Sequence, residues 1–210
     1  MQAGMSDEPM VPPGFAASLV EIGQRMDRCR WVPGSAGNFS ARIDDERIAI
    51  TRSGVHKGRL TDDDIIAVKY DGSAFDPGDR PSAETLLHCQ IYQKFAGVGA
   101  VLHGHSVAAT VLSMASDAGG IAFSNYEILK AFGGIRTHET EVILPVVDND
   151  QDMPRLVARV EPLLEMGAPL GYLIRGHGIY AWGETVEHAF WRVEALEFLL
   201  ACELERRRIK

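Results

Sequence analysis

Strand-like runs in this chain arrive in adjacent pairs between amphipathic helices, and that order constrains the fold more than any other feature. Phe39, Ala41 and Ile43 alternate with polar or small neighbours, and Ile48 and Ile50 answer them across the polar pair Asp44-Asp45. This pattern reads as a hairpin. Residues 65–70, IIAVKY, form a further strand closed by Asp71-Gly72. Residues 100–105 (AVLHGH) and 142–147 (VILPVV) read as short buried strands, and 171–182 as two strand halves bent at glycine. Adjacent strands pair antiparallel, so the expected class is α/β, with helices on both faces of a mixed, largely antiparallel sheet. A glycine fingerprint for dinucleotides is absent after the first strand.

The helices are legible from their period. Phe15, Leu19, Ile22, Met26 and Cys29 share one face of a first helix, which Pro33-Gly34 stops. Ser82 offers an N-cap for a second helix over 83–95. Helices are also expected over 106–114, 125–132 and 154–166. The last runs over 185–207, with Val186, Phe190, Val193, Leu196, Leu200 and Leu204 at helical spacing. Arg206, Arg207 and Arg208 lie at its carboxyl end, where the helix dipole favours cations.

Composition narrows the function. The chain has 210 residues, 46% hydrophobic and 24% charged, which suits one globular domain over 15–210 behind a flexible polar segment at 1–14. Lys and Arg are outnumbered 21 to 29, for a net charge of −8, so nucleic acid and anionic membranes are not expected partners. Cys29, Cys89 and Cys202 show no C-x-x-C spacing, which fits reduced thiols in the cytoplasm. Residues 1–14 lack the basic start and apolar run of an export signal.

Three histidines carry the strongest chemical signal. His103 and His105 are two apart in a strand and so project from one side. Alone, such a pair also suits a polar strand end. His177, between Gly176 and Gly178 at the end of another apolar strand, completes a three-nitrogen set with one position open, the layout of a catalytic zinc site. His56, His88, His138 and His188 have no paired spacing and read as surface or core residues. Glu84 in the first turn of a helix stabilises the dipole, and Glu127 reads as a solvated helix residue; either carboxylate can also move protons. Small polar residues near glycines, at Gly37-Asn38, Thr51–Gly54, Lys57-Gly58 and Pro81-Ser82, suit turns or caps and equally a phosphate cradle.

Taken in order, Gly37-Asn38-Phe-Ser40, Ile50–Gly54, Pro81–Glu84, His103-Gly-His105 and Gly176-His-Gly178 resemble the class II aldolase/adducin family over about residues 15–205. The resemblance implies an α/β/α sandwich, one zinc ion per subunit on His103, His105 and His177, and a homotetramer with sites near subunit boundaries. It places Asn38, Ser53, Gly54, Ser82 and, as an addition, Lys57 around a substrate phosphate. Glu84 matches the metal-proximal carboxylate of the aldolases, and Glu127 the acid/base of the dehydratases.

Further stretches, among them Tyr126–Lys130, Thr137–Glu139 and Asp148–Asp152, resemble the branch that dehydrates 5-methylthioribulose 1-phosphate in methionine salvage. Two other readings share many of these features. One is a zinc aldolase or 4-epimerase for another sugar phosphate; the other is a metal-free, adducin-like binding module.

Overall fold

Pairing of the predicted hairpin, in the register Ser40↔Ile50, Ala41↔Ala49 and Arg42↔Ile48, starts the sheet on which everything else is laid. The computed structural model describes residues 10–116 and 119–209. Helix α1 (Pro13–Arg28) leads into β1 (Asn38–Arg42), β2 (Ile48–Thr51) and β3 (Ile65–Val68). Then come α2 (Thr85–Lys94), β4 (Ala100–Gly104), α3 (Val107–Met114), β5 (Ile121–Ser124) and β6 (Glu141–Leu144). The chain closes with β7 (Val146–Val147), α4 (Met153–Glu165), β8 (Tyr172–Ile174), β9 (Gly178–Gly183) and α5 (Val186–Arg208). Most of the 1–14 segment expected to be flexible lies outside the described residues, but Pro13 and Gly14 belong to α1, with proline in the first turn where its missing N–H costs nothing.

Seven strands form one sheet in the order β3-β2-β1-β4-β9-β8-β7. Its pairs are antiparallel except β7 with β8. Alternation of side chains then divides the core by face. Phe39, Ala41, Leu102, Ile179 and Ala181 point to the layer of α1, α3 and α5, where Leu19, Ile22, Leu112, Phe190 and Leu196 are buried. Ile48, Ile50, Val101, Tyr180 and Trp182 point the other way, to α2 and α4, against Leu87, Ile91, Leu156 and Val160. The three-layer sandwich expected from the sequence is therefore observed.

Two local expectations are corrected. The apolar run 142–147 is two strands, because Pro145 cannot donate to a ladder and separates them. β6 pairs with β5 in a separate ribbon, while β7 joins the main sheet. The N-cap of α2 is Glu84 and not Ser82. Ser82 instead closes a turn just before the helix: its hydroxyl accepts from the Glu84 N–H at 3.3 Å, and its carbonyl accepts from the Thr85 N–H and hydroxyl. Glu84 makes no side-chain cap bond to its own helix. Its carboxylate is free for other partners.

Candidate metal centre and substrate cleft

One row of side chains crosses four adjacent strands. Asn38 on β1 faces His103 on β4, His103 faces Tyr180 on β9, and Tyr180 faces Tyr172 on β8. The Tyr180 ring stacks on Tyr172 at 4.9 Å. His105 follows just past the end of β4, its N–H donating to the Trp31 carbonyl at 2.6 Å. His177 sits in the tight β8–β9 turn, where Gly176 adopts a left-handed φ of +65°. Gly178 is required by contact, since a Cβ there would lie 2.0 Å from the Gly104 carbonyl oxygen.

These elements bring the three predicted histidines together. Ring centroids lie 4.5 Å apart for His103–His105, 4.9 Å for His103–His177 and 4.6 Å for His105–His177. One ligand atom from each falls within 4.8 Å of the others. Burial lowers His103 to about 4 and His105 to about 3, so both rings are neutral at physiological pH and offer lone pairs. His103 Nδ1 donates to the Ile179 carbonyl at 2.9 Å, which leaves Nε2 bare and aimed inward. That Nε2 is buried without a hydrogen bond, although Glu84 Oε2 lies 3.3 Å away; the Nδ1 of His177 is likewise buried and unpaired. Three imidazoles with orphaned nitrogens among them and an adjacent carboxylate fit a divalent metal cation.

Glu84 reaches this cluster from the start of α2. Its Oε1 lies 2.9 Å from His177 Nε2, and its Oε2 accepts from Asn38 Nδ2 at 2.7 Å and from the Tyr180 hydroxyl at 3.0 Å. Burial disfavours the charge, but His103, His177 and Asn38 outweigh it and hold the carboxyl well below the usual range. Glu84 is therefore an ionised carboxylate whose side-chain partners lie in the histidine cluster. Tyr180 was not among the residues singled out in the sequence; its position opposite His103 in the register is a property of strand pairing, which one sequence does not print.

A cleft of about 280 Å³ opens over the cluster. Asn38, Ser53, Gly54, Lys57, Ser82, Glu84, His105 and His177 all line it, as does Arg52. An antiparallel bridge between Arg52 and Pro81, with the Ser53 N–H donating to the Arg80 carbonyl at 2.9 Å, sews the 53–54 turn to the 82–84 turn. Lys57 is 2% exposed and donates to the carbonyls of Ser35 and Val55 at 3.0 and 2.6 Å. Burial lowers it to about 8, against the pull of Glu84 and Asp64, so at neutral pH it remains largely a cation in the cleft wall. Arg52 is committed elsewhere, to Asp79 at 2.8 Å.

Glu127 stands apart. Its side chain is 70% exposed on a 3-10 turn (Glu127–Ala131) and pairs with Lys130 and His138, none of which lines this cleft. Within one chain, the structure does not bring Glu127 to the histidines.

The sheet, the histidine trio and the adjoining cleft define a class II aldolase-type enzyme fold. The model of the Class II Aldolase and Adducin N-terminal domain matches residues 17–204, and the chain belongs to that family. It is 60% identical over 210 residues to a protein named methylthioribulose-1-phosphate dehydratase from Acidiphilium cryptum (strain JF-5), covering 100% of this chain and 99% of that one. A namesake from Gluconacetobacter diazotrophicus is 59% identical over 196 residues, covering 93% and 95%. Among solved structures, an L-fuculose 1-phosphate aldolase shares the fold with a TM-score of 0.80 at 21% identity, covering 95% of this chain and 89% of that one. YgbL, a putative aldolase/epimerase/decarboxylase from Escherichia coli, gives 0.75 at 25% identity, covering 90% and 87%.

Proposed function

We propose that this chain is a hydro-lyase that removes water from 5-methylthioribulose 1-phosphate to give 5-methylthio-2,3-dioxopentyl phosphate, a step of methionine salvage, with zinc as its resident ion. The observation that carries this reading is the ionised Glu84 carboxylate beside three convergent histidines, in a chain so similar to relatives bearing that activity's name. His103, His105 and His177 would hold a divalent ion, whose Lewis acidity would make the proton next to the substrate carbonyl easier to remove.

The residues of the chain do the rest. Lys57 gives the cleft a positive charge for the phosphate, with Ser53, Gly54 and Ser82 lining the same wall. Asn38 gives one amide proton to Glu84 and keeps a second for the phosphate. Glu84 Oε2 is held by two donors, whereas Oε1 has the single contact with His177 Nε2, so Oε1 takes the C3 proton once it gives up that contact. The C4–O bond then breaks and the hydroxyl leaves as water, the proton taken at C3 being shuttled to it through Glu127. Tautomerisation of the enol completes the diketone.

Glu127 acts from a neighbouring copy in a homotetramer. Its exposure supports this, as do the exposed apolar residues Val107 and Met114 on α3, the latter close to Gly176 in the His177 turn. The three cysteines are free, which accords with work in the cytoplasm.

The deciding experiment adds the methylthio ketose phosphate and follows the ultraviolet absorbance of the diketone or its enol. Turnover with loss of water supports the reading. Carbon–carbon cleavage instead, or no reaction by the metal-loaded protein, defeats it.

A further inference from the structure

Behind Glu84 a chain of buried polar groups runs back through the sheet face under α2. Asn38 Oδ1 lies 2.5 Å from His88 Nε2, and His88 Nδ1 lies 2.7 Å from the Ser40 hydroxyl. The Ser40 hydroxyl lies 2.8 Å from the hydroxyl of Tyr92. His88 and Ser40 are 0% exposed and Tyr92 1%. His88 also meets the Tyr180 ring edge-on at 5.7 Å. Two of these groups come from β1 and two from α2, so the helix and the strand are joined through them.

The polarity of every bond in this chain is determined from one end. An ionised carboxylate only accepts, so Asn38 must present its NH2 to Glu84 Oε2. The carbonyl oxygen of Asn38 is then turned to His88, whose Nε2 must carry the proton. Nδ1 of His88 is therefore bare and accepts from the Ser40 hydroxyl, whose oxygen in turn accepts from Tyr92. Reversing any one bond would set two donors or two acceptors face to face in a dry interior, at the cost of an unpaired buried group.

We infer that His88 is a positioning residue for Glu84: in its Nε2–H tautomer, held by Ser40 and Tyr92, it anchors the Asn38 amide so that Asn38 fixes Glu84 Oε2 and leaves Oε1 on the His177 side of the cleft. Without the His88 N–H, the Asn38 carbonyl oxygen loses its buried partner and the amide is pinned at one end only, so Asn38 and the Glu84 Oε2 it holds are free to shift. His88 touches neither the cleft nor the histidine trio by hydrogen bond, so its effect passes through Asn38.

This inference rests on the assignment of Glu84 as the base, and two measurements separate the two claims. His88→Leu is expected to lower kcat by about 10- to 100-fold, with KM changed by less than about twofold and metal content unchanged. His88→Gln, whose amide N–H can stand near the imidazole Nε2–H, is expected to restore most of the loss. Ser40→Ala, a smaller change, covers the case in which His88→Leu fails to fold; it should give a mixture of His88 tautomers and a lesser fall in kcat. Independently of any substrate, long-range proton–nitrogen spectra of the wild-type imidazoles should show His88 protonated on Nε2 and bare on Nδ1. A protonated Nδ1, wild-type kcat in His88→Leu, or a loss that His88→Gln does not rescue overturns the inference. If the wild type fails to dehydrate the methylthio ketose phosphate, the proposed function falls, and the tautomer spectrum still decides for or against the relay.

Discussion

His103 and Tyr180 are cross-strand partners on β4 and β9, and their rings stack at 4.1 Å and 17°. The hydroxyl of the same tyrosine donates to Glu84 at 3.0 Å. One side chain thus fixes the plane of the His103 ring and one oxygen of the Glu84 carboxylate. Tyr180→Phe keeps the stack and removes only the donor. Metal content should stay at the wild-type level while kcat falls by about tenfold, which steady-state kinetics and elemental analysis can check together. Loss of the metal in this variant would mean that the hydroxyl, and not the ring, orders the centre.

Removing a ligand should act differently. His103→Ala or His177→Ala takes one of three nitrogens, and metal per chain should fall well below one in protein purified without a histidine tag. Unchanged stoichiometry would show that the ion binds elsewhere.

Glu127 and Glu84 can be separated by their exposure. Glu127→Gln alters only an exposed set of ion pairs, so the urea midpoint should stay at the wild-type value. Turnover should nevertheless fall by about 10²- to 10⁴-fold with metal retained. Full activity in this variant removes Glu127 from the chemistry and leaves Glu84 to handle both protons.

Glu197 gives a pH dependence of known sign. It is 4% exposed on α5 with Oε1 unpartnered, and burial raises it from 4.5 to about 7, with Ser106 pulling the other way. The folded chain therefore holds this proton more tightly than the unfolded chain. Stability falls as pH rises from about 4.5 to about 7 and the deficit is complete above that window. Glu197→Gln should match the wild type near the acid end and exceed it above neutrality, by up to about 3 kcal/mol. Urea melts on either side of the window would read this, and an equal gain at both ends would contradict it.

Gly178→Ala tests the approach of β9 to β4. The added methyl would meet the Gly104 carbonyl oxygen at 2.0 Å and His103 Cε1 at 3.1 Å. A melting temperature lowered by several degrees, together with weakened metal binding, is expected. A variant as stable and as well metallated as the wild type would mean that the two strands separate freely.

Much of this was legible in the sequence because it depends on local spacing. The hairpin of β1 and β2, the stripes on α1 and α5, and the shared side of His103 and His105 all follow from period; that His177 joins them depends on the pairing of β4 with β9. What one sequence could not print depends on pairing between distant segments. Tyr180 gains its place only from the register with His103, and His88 from the packing of α2 on β1. Glu84 looked like an ordinary first-turn acid because the turn at Ser82 displaces the helix start, a matter of three-dimensional hydrogen bonding. Pro145 was visible within its apolar run, but the division of that run between two sheets was not.

Asn38, His103, Tyr180 and Tyr172 owe their common direction to pairing across four strands, and a slip of a single residue in any strand would turn its member to the opposite face. A partly assembled sheet therefore holds no half-strength version of the centre. An ion held by the three histidines would therefore gauge sheet assembly, and its capture would withdraw chains from the misregistered population as they form.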